Sequence, residues 1–290
     1  MARAAGSSEQ PNGAQVIRGA LRTWPLLLVR LGRRVGIAPA LTTVGPFLPL
    51  LGLWVWATHV EVWPPIFLPP PSKVLASLWD LLRKGIYPLH VGDSLSRLVA
   101  GALISLVLGV AVGVVLGVNR LAGRFFYPLL SFFQSVAEIG WLPLAVIWFG
   151  FGFRTILFVI GYTIFFPMVF STLVGVRTVP PNLVRSALTL GARRHHVIFE
   201  ILLPGAFPSI VTGIRVGMGY GWRALIAAEM LVGETGLGFM IFDARKFHLT
   251  ERIILGMLTI GLLWLLTDRL ILKPLEAETI ERWGLTAKAR

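Results

Sequence analysis

Few residues in this chain stand where they could do chemistry. Glu138, Arg223 and Glu229 each fall inside a run that is otherwise apolar, and a cluster of Arg185, Arg193, Arg194, His195, His196 and Glu200 interrupts the apolar sequence between residues 185 and 204. An ionised side chain in hydrocarbon costs at least about 2.5 kcal/mol on insertion scales, so the isolated charges need partners or water. Familiar catalytic patterns are missing. No Gly-Lys dipeptide occurs, which excludes a phosphate-binding P-loop, and neither HExxH nor GxSxG is present. There are no cysteines, hence no disulfide, thiolate metal site or cysteine nucleophile. The five histidines offer no metal-ligand spacing, since His195 and His196 are adjacent and diverge on a helix. Gly236 and Gly238 in "GETGLGF" resemble a nucleotide loop only superficially, because no strand precedes them. The pattern is that of a conduit without its own engine and without a bound cofactor or metal.

The elements that must hold these residues are apolar. Of 290 residues 55% are hydrophobic and 14% charged, with mean hydropathy +0.76, which predicts an all-α polytopic membrane protein. The net charge of +13 reads as basic loops kept on the cytoplasmic side, with no nucleic-acid partner. Runs of about 20 uncharged residues mark six spans, at about 41–58, 98–119, 126–150, 155–176, 207–231 and 253–272. Six crossings put both termini on one side. The segments on that side carry 16 Lys and Arg against 7 on the other, which predicts cytoplasmic termini.

Residues 1–40 form a basic segment in which Ile17, Leu21, Trp24, Leu28 and Leu31 suggest an interfacial helix on membrane lipid, and residues 273–290 form a cytoplasmic tail. A surface helix is expected from Ser72. Gly109, Gly113 and Gly117 in span two, and Gly213, Gly217 and Gly221 in span five, align along helix faces and predict tight packing of these two helices. Gly140 and Pro143 are expected to break span three. Gln134, Glu138, Trp141, Tyr220, Trp222, Arg223 and Glu229 are then candidates for a polar path greeting an anionic solute. The same residues admit a second reading, in which Glu138 and Arg223 form a structural pair.

Residues 178–206 parse into two short helices, the first opened by Pro180 and Pro181, a turn at Gly191, and a second helix ended by Pro204. This is a docking knob facing the cytosol. Its residues resemble the coupling loop of permeases of binding-protein-dependent ABC importers, a pattern of EAA, three residues, Gly, nine residues and Ile-x-Leu-Pro. Ala187, Gly191, Ile201, Leu203 and Pro204 match, while Arg185 and Ser186 stand where Glu and Ala are usual. "FLPPPSKVLASLWDLL", "WLPLAVIWFGFG", "AAEMLVGETGLGFMI" and "ERWGL" are similar to the nitrate, sulfonate and taurine branch of that family.

The resemblance implies a type I ABC importer permease fold in a prokaryotic inner membrane. Two permease copies as a homodimer would enclose a path, with two cytosolic ATPases holding ATP and Mg, and a periplasmic or lipid-anchored substrate-binding protein delivering the solute. It implies coupling through Arg185, Ser186, Ala187, Gly191, Ala192, Arg193, Arg194, Ile201, Leu203 and Pro204. The solute would be small and anionic, such as a sulfonate, taurine or nitrate, and this chain would not be an enzyme. The competing expectations are an ATP-independent secondary transporter or channel, or ABC import of a riboflavin-like or pyrimidine nutrient.

Overall fold

The computed structural model describes Gly45 and residues 47–282; the basic segment 1–40, the start of span one and the end of the tail lie outside the described residues. The described residues form helices and no β-strand. They are α1 (Phe47–His59), α2 (Pro71–Arg83), α3 (Ile86–Val118), α4 (Arg120–Ser135), a 3₁₀ turn (Glu138–Trp141), α5 (Leu142–Phe149), α6 (Phe153–Thr178) and α7 (Pro181–Thr189). After them come α8 (Leu203–Val232), α9 (Leu237–Lys246), α10 (Thr250–Thr267) and α11 (Lys273–Arg282).

Four helical stretches are long and apolar enough to cross a membrane: Ile86–Val118, Phe153–Thr178, Arg194–Val232 and Thr250–Glu276. The pair α4 and Glu138–Phe149, bent by 88°, is apolar enough over its joint length to make a fifth crossing if it acts as one span. The expected first span appears as α1, whose 13 described residues are apolar but shorter than a full crossing. Span two is longer than its uncharged run, because the helix begins at Ile86 rather than Leu98 and carries Arg97 inside it.

Packing is organised by α6, whose middle is buried on both sides. Along α3, a methyl group added at Gly101 would stand 2.5 Å from Ile160 Cγ2, at Gly109 2.5 Å from Met168 Cβ, at Gly113 2.6 Å from Thr172 Cβ and at Gly117 2.8 Å from Val176 Cβ. Between them Ser105 donates to the Gly161 carbonyl at 2.9 Å. Residue numbers rise together along this seam, so α3 and α6 run parallel. Along α8 they run oppositely: Gly205 meets Val179, Gly213 meets Ser171 and Gly221 meets Ile164. The two glycine stripes therefore both face α6, on neighbouring faces, and do not pack against each other. In lipid, where burial of apolar surface gives helices no drive to associate, such backbone approach is the main source of packing energy.

A parallel α3 and α6 require residues 119–152 to run back along the length of the bundle, which is the work of the bent pair. Its break lies at Val136 and Ala137, both extended, slightly ahead of Gly140, while Pro143 takes the first turn of α5. The freed Phe133 carbonyl accepts from Val136 N–H at 3.2 Å and from the Tyr162 hydroxyl. The neighbouring helix thus supplies the donor that lipid lacks.

Gly113→Val should show how far the seam tolerates volume, since the new side chain would meet both Thr172 Cβ and the Val169 carbonyl. Overpacking of this kind costs about 1–3 kcal/mol. Thermal unfolding in detergent should show a clear loss for Gly113→Val and none for Gly52→Ala, which has nothing within 4 Å.

Candidate functional site

The helix seams define two ends of the bundle. One holds the termini of α3 and α6 with the knob; the other holds the starts of α3 and α6 with the loop after α8. At the knob end, α7 begins on Pro181 after an extended Pro180, and its chain turns at Leu190 and Gly191, the latter at φ 85°, which glycine alone adopts without strain. Gly191 N–H donates to Leu188 O and Ala192 N–H to Ala187 O, each at 3.0 Å, closing the elbow. No residue of α7 is buried, and Leu190 is 88% exposed at the tip. Val197 and Leu202 are buried and fasten the base of the knob to the core.

Pro204 does not end the second helix. Arg194–Val232 is continuous over 39 residues, because Val197–Leu202 opens to π geometry just ahead of the proline. The wide turn leaves the ring room where a regular turn would press it against the carbonyl of the residue four back. Of the knob residues, Arg185, Ser186, Arg193 and Arg194 are exposed and Ala187 and Ala192 half-buried. Ile201, Leu203 and Pro204 lie partly buried in the wide turn and the first turn of α8.

Between α8 and α10 opens a cleft of about 1060 Å³. Tyr220, Trp222 and Arg223 line one wall and Ile260, Gly261 and Trp264 the other. Arg223 is exposed and carries no ion pair among the described residues; its guanidinium carbon lies 4.8 Å from the centre of the Tyr220 ring. Trp222 is buried, and its indole N–H has no hydrogen-bond partner among the described residues. Towards the knob end the cleft is closed by charge, with Arg215 on Asp268 at 3.2 Å and on Glu276, and Lys273 on Asp268 at 3.4 Å.

Gln134, Glu138 and Trp141 lie on the bent pair and outside this cleft. Trp141 packs between Phe133 and Tyr162, with ring centres 6.0 and 5.4 Å away, and Glu138 is half-buried at the start of the 3₁₀ turn. No ion pair joins Glu138 to Arg223 among the described residues.

Glu229, grouped with Arg223 on sequence grounds, does not face the cleft. Six residues further along α8 is about 120° around the helix from Arg223, and its side chain is fully buried against α3. Both carboxylate oxygens accept from the Ser94 hydroxyl at 2.8–2.9 Å, while Arg97 donates to Oε1 at 2.8 Å and Gly238 N–H to Oε2 at 3.0 Å. Arg97 also donates to the Thr235 carbonyl and hydroxyl, and His90 Nδ1 accepts from Gly236 N–H at 3.0 Å. The glycines of "GETGLG" belong here. Gly236 sits at φ 110°, and a methyl on it would stand 2.3 Å from Glu229 Oε1. This cluster pins the loop after α8 to the start of α3. Sequence reading missed His90, Ser94 and Arg97; the available signal was the Glu229 charge next to two glycines, which called for a cation from another span.

The same fold, a glycine-seamed helical bundle with a bent pair, is found among solved structures. The permease fold of the MetNI methionine ABC transporter in inward-facing conformations superposes with a TM-score of 0.53, at 19% identity, covering 69% of this chain and 98% of that one. Residues 105–271 match the model of the binding-protein-dependent transport system inner membrane component family, and the chain belongs to that family.

Relatives include the taurine transport system permease protein TauC of Escherichia coli (strain K12), 33% identical and covering 84% of this chain and 87% of that one. The nitrate import permease protein NrtB of Leptolyngbya laminosa is 31% identical over 83% and 89%. The putative aliphatic sulfonates transport permease protein SsuC of Bacillus subtilis (strain 168) is 29% identical over 77% and 80%. The chain is thus a multi-pass inner-membrane permease of the ABC type, a subunit that does no catalysis.

Arg97→Met would leave the Glu229 carboxylate buried without its cation. Breaking a buried pair on one side costs about 3–5 kcal/mol. The variant should unfold at clearly lower temperature in detergent than Arg154→Met, whose residue makes no ion pair among the described residues.

Proposed function

We propose that this permease forms the translocation path of an ATP-driven importer for a small oxyanion-bearing solute of the sulfonate, taurine or nitrate kind. The observation that carries the ATP-driven part is the knob. Leu190 is an apolar side chain held 88% exposed on a glycine elbow, with Leu183 and Leu188 also exposed on α7. A chain without a P-loop gains nothing from such a surface unless a partner covers it. The partners would be two cytosolic ATPases that hold ATP and Mg. A second copy of this chain would complete the path, and a periplasmic or lipid-anchored binding protein would deliver the solute. Sidedness follows the basic residues, with both termini and the knob in the cytosol.

The anionic solute class rests on three supports. The three relatives are named for solutes that share an oxyanion group. The cleft presents the exposed Arg223 guanidinium, which has no carboxylate partner among the described residues. Arginine binds oxyanions through two parallel N–H groups, so two oxygens of a sulfonate or of nitrate fit its fork. Closure of the ATPases around ATP would draw the two knobs together and open the path outward, and hydrolysis would return it inward, a shift between two populations that the solute alone does not drive.

Leu190→Glu should abolish co-purification with the cognate ATPase and leave unfolding unchanged, because the side chain has no buried contact to lose. Retained ATPase would overturn the docking role. Arg223→Ala should lower uptake of an anion in proteoliposomes about tenfold or more, in line with loss of a charge-assisted hydrogen bond. Unaltered uptake with lowered stability would mark Arg223 as structural.

A further inference from the structure

A second cavity, of about 490 Å³, lies at the knob end where α3 and α6 finish. Four arginines line it: Arg120 and Arg124 from the first turns of α4, Arg177 from the last turn of α6 and Arg185 from α7. No aspartate or glutamate lines it, and none of the four makes an ion pair among the described residues. Four like charges lining one cavity repel one another, a cost that an anionic ligand would offset. Arg177 is held there by construction. Its guanidinium donates to the Leu116 carbonyl at 3.3 Å and lies over Gly123, where a methyl group would come within 2.2 Å of Nη2. Arg185 adds a cation at a motif position that usually carries a carboxylate, which removes the one internal counter-charge the loop pattern would provide.

The rest of the lining is aliphatic, with Val118 and Val179 among it. The cavity therefore presents guanidinium groups and apolar wall together, at the level where two membrane-crossing helices end. We infer that it is a binding site for an anionic phospholipid, with the headgroup phosphate on the arginines and the upper acyl chain against the valines. Basic pockets between spans at the polar boundary take such headgroups, each basic residue adding about fivefold in affinity. Free phosphate shares the charge but has no use for the apolar wall. The site does not depend on the solute carried, although its Arg185 also stands on the α7 knob proposed to meet the ATPase. Because α3, α4, α6 and α7 all contribute to it, a lipid bound here would tie the position of α7 to the membrane-embedded helices.

The test is native mass spectrometry of the full chain purified alone in detergent, titrated with phosphatidylglycerol, phosphatidylcholine or inorganic phosphate. Phosphatidylglycerol should bind in preference to phosphatidylcholine and resist displacement by phosphate. Arg120→Gln and Arg124→Gln should each weaken phosphatidylglycerol about fivefold without changing phosphatidylcholine, and Arg124→Lys should keep most of the preference because the charge is retained. Equal binding of the two lipids by the unaltered chain, undiminished phosphatidylglycerol in both glutamine variants, or displacement by millimolar phosphate would each overturn the proposal. Should a glutamine variant fail to fold, the lipid competition in the unaltered chain decides.

Discussion

The close approach of α3 and α8 to neighbouring faces of α6 is the constraint on which the remaining architecture rests. Water drives soluble cores together, but lipid does not, and association here depends on dispersion contacts at backbone distance. Glycines at 101, 109, 113 and 117 on one side and at 205, 213, 217 and 221 on the other bring those contacts within reach. Ser105 adds a hydrogen bond where the first series lacks a glycine. With α6 held in this way, its neighbours must run parallel and antiparallel to it. That decides which loops share an end of the bundle and obliges residues 119–152 to return as a bent span.

The Arg97–Glu229 cluster fastens the opposite end by different physics. Two buried charges give little net stability when compared with apolar replacements, yet they are specific, because removing either strands the other. The same helix, α8, presents Glu229 to this pin and Arg223 to the open cleft about 120° away. The Glu229 face is saturated with partners, while the cleft face carries a guanidinium with no ion pair among the described residues. That difference in satisfaction, rather than the presence of charge in a span, separates a fastening from a candidate contact for solute.

Much of this was legible before any coordinates. The oily composition, the helical spans, the elbow at Gly191 and the glycine-lined faces all follow from local rules that spacing alone expresses. The neighbours of those faces do not: a stripe at Gly109, Gly113 and Gly117 says that something packs there, but Met168, Thr172 and Val176 are named only by tertiary register. Arg97 escaped because an uncharged run was used to begin span two, and a cation neutralised by another helix ends such a run without ending the helix. Pro204 misled for a related reason. A proline stops a regular helix, and nothing in Val197–Leu202 announces the π turn that accommodates it.

That accommodation bears on how the knob and the cleft would communicate in the proposed cycle. Had the helix ended at Pro204, a displacement of α7 would be absorbed by a loop. Instead Arg194 and Arg223 lie on one helix, about 44 Å apart along its axis at 1.5 Å per residue. Its early turns hold the wide segment Val197–Leu202 and the internal Pro208. π-bulges and prolines are places where helices kink. Beyond the π turn, contact with α6 through Gly205, Gly213, Gly217 and Gly221 keeps α8 in register while its cleft face is free. In the proposed cycle, movement of the knob would be divided near the π turn, part bending there and part carried along α8 past α6. The glycine seam decides the share, since a bulky seam would lock the helix and a looser one would let it tilt without moving Arg223.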